Sequence, residues 1–307
     1  MNERNQTIVD LYRSGTPLLM ITKQTKVSIP TVYKALKQSG TPLRVEEKAL
    51  PEQAKAAIAF EYLHYVSVAE LRRKYNCTHE KIMATLQEYQ IAPISACIRE
   101  NPAFLEHYFE NIDTPAKAYW LGWIITDGAV MQKSHAISMT LRQEDEDVLY
   151  ALQDDLKLSG HIRPFQEKYT SFHVSSKIMC QDLAKYGIVQ NKTSTVRFPD
   201  LQENLVPHLI RGAFEGDGWI SIMSRYGKPT YELGFTGNGT TVAQFNSIVS
   251  AAIQKPEKHI TPNHSIWKVR WSSKAEVDAI LHWMYKDCGI CYLKRKRDKY
   301  HQIHFGN

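Results

Sequence analysis

Two segments of this 307-residue chain, ninety residues apart, share a pattern that restricts what the chain can fold into. They are Trp120-Leu121-Gly122-Trp123-Ile124-Ile125-Thr126-Asp127-Gly128 and Ile210-Arg211-Gly212-Ala213-Phe214-Glu215-Gly216-Asp217-Gly218. Each is an apolar stretch with glycine at the third place and Asp-Gly at the end. Each reads as the last turns of a helix, and the final glycine suits the left-handed residue that often follows one. Asp127 and Asp217 then stand at helix C-termini, where the macrodipole is already negative and a carboxylate is unfavourable. A chain that does this twice calls for a cation at both ends. Gly122 with Thr126, and Gly212 with Gly216, lie four apart and so share a face.

The remaining bulk properties narrow the class. The hydrophobic content of 43% is that of a globular protein, and no run approaches the roughly 18 apolar residues that a membrane span needs. The five cysteines are odd in number and scattered, and the N-terminus has no apolar signal-like core, so an intracellular protein is expected. The formal charge of +6 is compatible with a polyanionic partner without requiring one.

The first hundred residues read as helices broken by turns, repeated at a spacing of about fifty residues. Residues 1–48 form one helix-turn-helix unit and residues 49–98 a second. Ser28 is placed to cap the third helix of the first unit, with Pro30 in its first turn. A second helix of such a unit can lie in a major groove, which makes Thr31, Tyr33, Lys34 and Lys37, then His79, Lys81 and Thr85, candidates for DNA contact. Residues 99–117 are a connector with a short helix over Pro102–Phe109.

From residue 118 to 307 the texture becomes α+β. Helix, two strands, helix, two strands and helix occur in order and are then retraced, giving pseudo-repeats at about 118–200 and 201–300. Alternation turns Ile137, Met139 and Leu141 to a core and Ser138, Thr140 and Arg142 outward. It likewise sends Trp267, Val269 and Trp271 inward and Lys268 and Arg270 outward. With Arg163, His173, Arg225, Lys228 and Thr236, these outward residues are the candidate DNA-contacting set. Cys288-Gly289-Ile290-Cys291 followed by His301 and His304 has the residue types of a zinc site, but its gaps are shorter than those of zinc fingers.

The two opening segments, with Ala118-Tyr119 before the first, resemble the paired motif of the LAGLIDADG homing endonucleases over roughly residues 113 to 300. Ile125 stands where that family's name has its first Asp, while Glu215 holds the place in the second copy. The resemblance implies a duplicated αββαββα domain with saddle-shaped antiparallel sheets, its motif helices packed at a pseudo-twofold axis through Gly122 and Gly212. It implies that Asp127 and Asp217 carry the chemistry and bind Mg²⁺, helped by the backbone of Thr126 and Gly216. Gly187-Ile188-Val189-Gln190-Asn191-Lys192 aligns with Gly289-Ile290-Cys291-Tyr292-Leu293-Lys294, so Lys192 and Lys294 resemble the family's active-site lysines. The implied activity is site-specific cleavage of double-stranded DNA by a monomer, hydrolysing across the minor groove to leave 3′ overhangs. The ordinary Met at position 1 and the lack of flanking splicing residues read as a free-standing chain. A DNA-binding regulator and an RNA-splicing maturase are the alternatives.

Overall fold

A fifty-residue repeat governs the first unit of the computed structural model, which describes residues 3–43 and 50–306. Its helices are α1 (Glu3–Arg13), α2 (Leu18–Thr25) and α3 (Ile29–Gln38), then α4 (Glu52–Leu63), α5 (Val68–Tyr75) and α6 (His79–Glu88). Buried Ile8, Val9, Tyr12, Ile21, Val32, Ala35 and Leu36 recur fifty residues on as Ile58, Ala59, Tyr62, Leu71, Ile82, Thr85 and Leu86. Left-handed backbone at Gly15, Lys26 and Gly40 recurs at Tyr65, Asn76 and Gln90. The same turns and the same core positions are therefore used twice. The boundary read at 48–49 touches residues outside those described.

Two local expectations fail in this unit. Ser28 stands at the N-cap of α3, but its hydroxyl pairs with Thr31 Oγ1 at 2.9 Å and caps no backbone N–H. Thr85 is buried, and its hydroxyl donates to Lys81 O at 2.9 Å, so it cannot face a groove. Thr31, Tyr33, Lys34 and Lys37 are exposed, and Lys81 is half-buried.

The second unit takes the short stretch Tyr65–Ser67 and the chain from Ile91 onward. Its first helix, α7, covers Ala96–Glu100, capped by Ser95, and the helix expected over Pro102–Phe109 does not form. Successive turn bonds replace it: Phe104 N donates to Asn101 O, Tyr108 N to Leu105 O and Glu110 N to His107 O. The apolar residues of the segment pack instead, with Phe104, Tyr108 and Phe109 buried in the main core. Tertiary burial outweighs the local helical pattern.

The duplicated α+β architecture follows. The first half contains α8 (Pro115–Thr126), β1 (Gly128–Met131), β2 (Ala136–Arg142), α9 (Asp147–Asp155), β3 (Ile162–Phe165), β4 (Tyr169–Ser175) and α10 (Lys177–Lys185). The second contains α11 (Val206–Asp217), β5 (Gly218–Arg225), β6 (Lys228–Gly237), α12 (Gly239–Ala252), β7 (Thr261–Asn263), β8 (Ile266–Trp271), α13 (Lys274–Tyr285) and a closing α14 (Lys294–His304). Two four-stranded antiparallel sheets have orders β1-β2-β4-β3 and β5-β6-β8-β7. Among the described residues, no helix is long and apolar enough to cross a membrane.

Register sorts the side chains of each sheet. On the first, Ile137, Met139, Leu141, Phe172 and Val174 are buried, so Ser138 beside His173, and Thr140 beside Ser171 and Arg163, face outward. On the second, Leu233, Phe235, Val269 and Trp271 are buried, and Thr236 beside Lys268, and Gly234 beside Arg270, face outward. Trp267 departs from the expected alternation. It is 41% exposed, because the core ends at Val269 and its ring lies over Gly239.

Candidate active site

Close contact between α8 and α11 builds the site. Both helices start with proline in the first turn, and Thr114 caps α8 by accepting from Lys117 N at 3.3 Å. At Gly122, a Cβ would run into Leu209 O and come within 2.7 Å of Ala213 N. A Cβ at Gly212 would run into Tyr119 O, and one at Gly216 into the Asp127 carboxylate and the Thr126 hydroxyl. The helices thus touch backbone to backbone and run parallel, ending side by side. Only glycine permits this approach.

The final glycines serve a different purpose from the one their sequence suggests. Gly128 and Gly218 are not left-handed; Gly218 is extended at φ −95°, and each opens a strand. A Cβ on Gly128 would strike Ile124 O at 2.7 Å, and one on Gly218 would meet the ring and the carbonyl of Phe214. Each helix turns into its strand within one residue, and a side chain there would hit the last helical turn.

Two carboxylates therefore meet at two negative helix ends. Burial raises the Asp127 carboxyl above the ordinary aspartate range, against the opposing pull of the Thr126 hydroxyl and the nearby Lys296 and Lys192. Asp217 keeps solvent contact through the adjacent cleft, yet the protein crowding its carboxyl, and secondly the Asp127 charge, push it up to about 6. The Thr126 hydroxyl lies 3.0 Å from Asp127 Oδ2, and Thr236 Oγ1 donates to Asp217 O at 3.0 Å. The cleft has a volume of about 700 Å³ and is lined by Thr126, Asn191, Asp217, Thr236, Asn238 and Trp267, among others. It joins Asp217, and Thr126 beside Asp127, to the second sheet.

Two buried lysines answer this negative charge, in different ways. Lys192 is 6% exposed and opens a 3₁₀ turn after Asn191, whose φ is +60°. Burial lowers its ammonium, while Asp127 and Asp217 favour the charged form. Its Nζ has no protein hydrogen-bond partner among the described residues. Lys294, its aligned counterpart, is exposed at the start of α14, and the inward position belongs to Lys296, which is 3% exposed. Residues two positions apart on a helix point about 200° apart, so only one of Lys294 and Lys296 can face the carboxylates. Lys296 Nζ donates to Phe214 O at 2.6 Å, Glu215 O at 2.8 Å and Gly218 O at 2.5 Å, satisfying carbonyls at the end of α11. Burial pushes its ammonium down to about 7.

Glu215 and Ile125 occupy matching places and do unlike things. The Glu215 carboxylate, fully buried, accepts from Tyr119 OH (2.6 Å), Tyr285 OH (2.7 Å) and Leu293 N (2.8 Å). It thereby pins Leu293, the residue before α14, and through it the placement of Lys296. Ile125 is buried and apolar, with one side on the cleft. Arg295, next to Lys296, makes a two-pronged ion pair with Asp145 of the first half, at 2.8 Å.

The donor set suits a hard divalent cation. Two carboxylates at negative helix ends, with helix-end carbonyls beside them, match Mg²⁺, which takes one or two protein carboxylates and completes its shell with water and phosphate oxygens. No cluster of three or more His, Cys, Asp or Glu side chains that could cage a metal exists among the described residues. That includes Cys288, Cys291, His301 and His304; His304 instead pairs with Asp278 at 2.6 Å.

The candidates for DNA contact lie on the outward faces. Arg142, Arg163, His173, Arg225, Lys228 and Arg270 are exposed, and Ser138, Thr140, Thr236 and Lys268 are half-buried. Arg142 reaches to 3.7 Å from Glu144 and Arg270 to 3.5 Å from Glu232, both weak surface pairs.

No known family's sequence profile matches the chain. No curated protein matches it either. Among solved structures it is similar to the meganuclease I-SmaMI bound to uncleavable DNA, at 11% identity over 62% of this chain and 88% of that one, with a TM-score of 0.45. It is also similar to the LAGLIDADG homing endonuclease I-GzeII in complex with its DNA target, at 11% identity over 61% of this chain and 88% of that one, with a TM-score of 0.47.

Proposed function

We propose that the chain is a site-specific DNA endonuclease that cuts both strands of a duplex by metal-dependent phosphodiester hydrolysis. The observation that carries this reading is the pair Asp127 and Asp217, locked at adjoining helix ends by glycine-only contact, each with a carboxyl held above its ordinary range. Structural aspartates do not need such an arrangement, and groups in a cleft with shifted titration are functional candidates.

Asp127 and Asp217, with the backbone of Thr126 and Gly216, would hold Mg²⁺. Bound there, the ion supplies Lewis-acid polarisation of the phosphodiester and neutralises its developing charge. Lys192, whose charged form both Asp127 and Asp217 favour, would orient the attacking water and balance the charge of the phosphate. Lys296 takes the equivalent place in the second half, and it acts by fixing the backbone that carries Asp217. The outward sheet faces would read the duplex, with Arg142, Arg163, Arg225, Lys228, Lys268 and Arg270 meeting phosphates or base edges. The exposed residues of α3 would add contact to flanking DNA. The 3′ overhangs and the action as a monomer belong to the same reading.

The test is cleavage of a selected duplex by the purified chain in Mg²⁺, beside Asp127→Asn and Asp217→Asn. Each variant should lose double-strand cutting by roughly a thousandfold or more, with DNA affinity within about twofold of the parent. Cutting by either variant at the parent rate would sink the assignment, as would tight binding by the parent with no strand cut.

A further inference from the structure

The two halves do not present equal surfaces to a duplex. The β5–β6 hairpin keeps pairing out to Arg225 and Lys228, whereas β1–β2 stops at Met131 and Ala136. From the glycine that opens each hairpin to the middle of its turn, the second is roughly three residues longer, about 10 Å at ~3.3 Å per residue. The third strand does not accompany it, because β6 pairs with β8 only from Leu233 to Gly237. Residues before Leu233 therefore project as a two-stranded ribbon.

Local chemistry makes that ribbon well formed and basic. Its two-residue turn has Tyr226 at φ 52° and Gly227 at φ 74°, the twist that tight hairpins favour. At its base the Lys274 ammonium sits 5.6 Å from the centre of the Tyr231 ring. Met223 is 54% exposed and Tyr226 92%, with the Arg225 guanidinium 5.6 Å from the Tyr226 ring centre. Glu232, at the ribbon's base, accepts from Trp219 Nε1 at 2.9 Å and lies 3.5 Å from Arg270, and from Met223 to Tyr231 there is no acidic residue. Arg225 and Lys228 stand opposite each other, on the sheet face that also carries Arg270 and Lys268. The shorter hairpin is tied back, since Gln132 N donates to the Gln190 side chain at 3.2 Å.

We infer that the β5–β6 ribbon enters the major groove beyond the reach of the first sheet, so that this protein recognises a duplex with unequal arms, the longer arm under the second half. A two-stranded ribbon fits the major groove, and 10 Å of added reach corresponds to about three base pairs. The inference rests on the DNA-cleaving reading above.

Selection from duplexes with a randomised stretch, by the full chain in EDTA, separates the two. The selected site should extend about three base pairs further on one arm. Arg225→Thr with Lys228→Thr and Tyr226→Asn keeps β-formers in the strands and a left-handed-tolerant residue in the turn. That variant should lose preference at those outer positions alone and bind the parent's site about tenfold more weakly, with its thermal midpoint unchanged. Equal arms, or a variant whose preferences match the parent's at every position, overturn the inference and leave the DNA reading standing. Enrichment of no sequence by the parent overturns both.

Discussion

The motif helices α8 and α11 perform one architectural task with opposite chemistry. From Ala118 to Ile125, α8 is buried without a charged side chain, and Lys192, which feels the charge of its Asp127, has no side-chain hydrogen-bond partner among the described residues. In α11, Arg211 and Glu215 are both buried; the Arg211 guanidinium donates to Met284 O at 2.7 Å and Cys291 O at 3.1 Å. Its lysine, Lys296, is committed to three carbonyls. The difference teaches that matching positions in a duplicated fold need not share a job. One lysine is left available at the site, and the other holds the frame.

The largest effect that could break this contrast is on the two lysines. Lys192→Met should lower cleavage by ~10²-fold or more while changing stability by under about 1 kcal/mol, since no hydrogen bond is lost. Lys296→Met should instead cost about 3 kcal/mol by leaving buried carbonyls unpaired, lowering the thermal midpoint by roughly 8 °C. Melting curves and single-turnover rates on both variants decide the matter. Equal destabilisation by the two would erase the distinction.

Next in size is Glu215→Gln. It keeps shape but replaces charge-assisted bonds from two tyrosines and a backbone N–H, so a loss of about 2 kcal/mol is expected. A crystal structure of this variant should show Leu293 displaced. A variant as stable as the parent would remove Glu215 from the frame.

The smallest effect is a pH dependence. The Asp217 carboxyl, at about 6, and the Asp127 carboxyl, also raised, bind protons more tightly folded than unfolded. The contribution of these groups to the stability of the metal-free protein should therefore be full below about pH 4 and be lost as the pH rises through about 6. Asp217→Asn should flatten that fall, and Mg²⁺ should offset it in the parent. A slope of the opposite sign in denaturant titrations would show that another group dominates.

Much of this was legible in the chain itself. The paired Asp-Gly ends, the glycine stripes and the fifty-residue helical repeat each depend on short-range spacing, which a sequence displays. What escaped depends on where an element begins or where a core stops. The inward lysine could be assigned only once Leu293 was known to precede α14, because a two-residue shift turns a side chain to the opposite side of a helix. Trp267 has the period of a core residue but lies past the last buried pair of its strand. The Pro102–Phe109 segment has helical spacing, yet its aromatic residues find more burial in turns. Gly128 and Gly218 suggested left-handed backbone, when the requirement was room.

The glycine seam has one more consequence, for how such a chain can change over generations. Contact between α8 and α11 at Gly122, Gly212 and Gly216 sets how the helix ends that carry the two carboxylates meet. The outward sheet residues have few partners of their own, and their surface ion pairs contribute little. On the reading proposed, preference for a target and competence to cut it reside in separate sets of positions. New duplex sequences can then be acquired by drift on the sheets, while the chemistry is inherited intact.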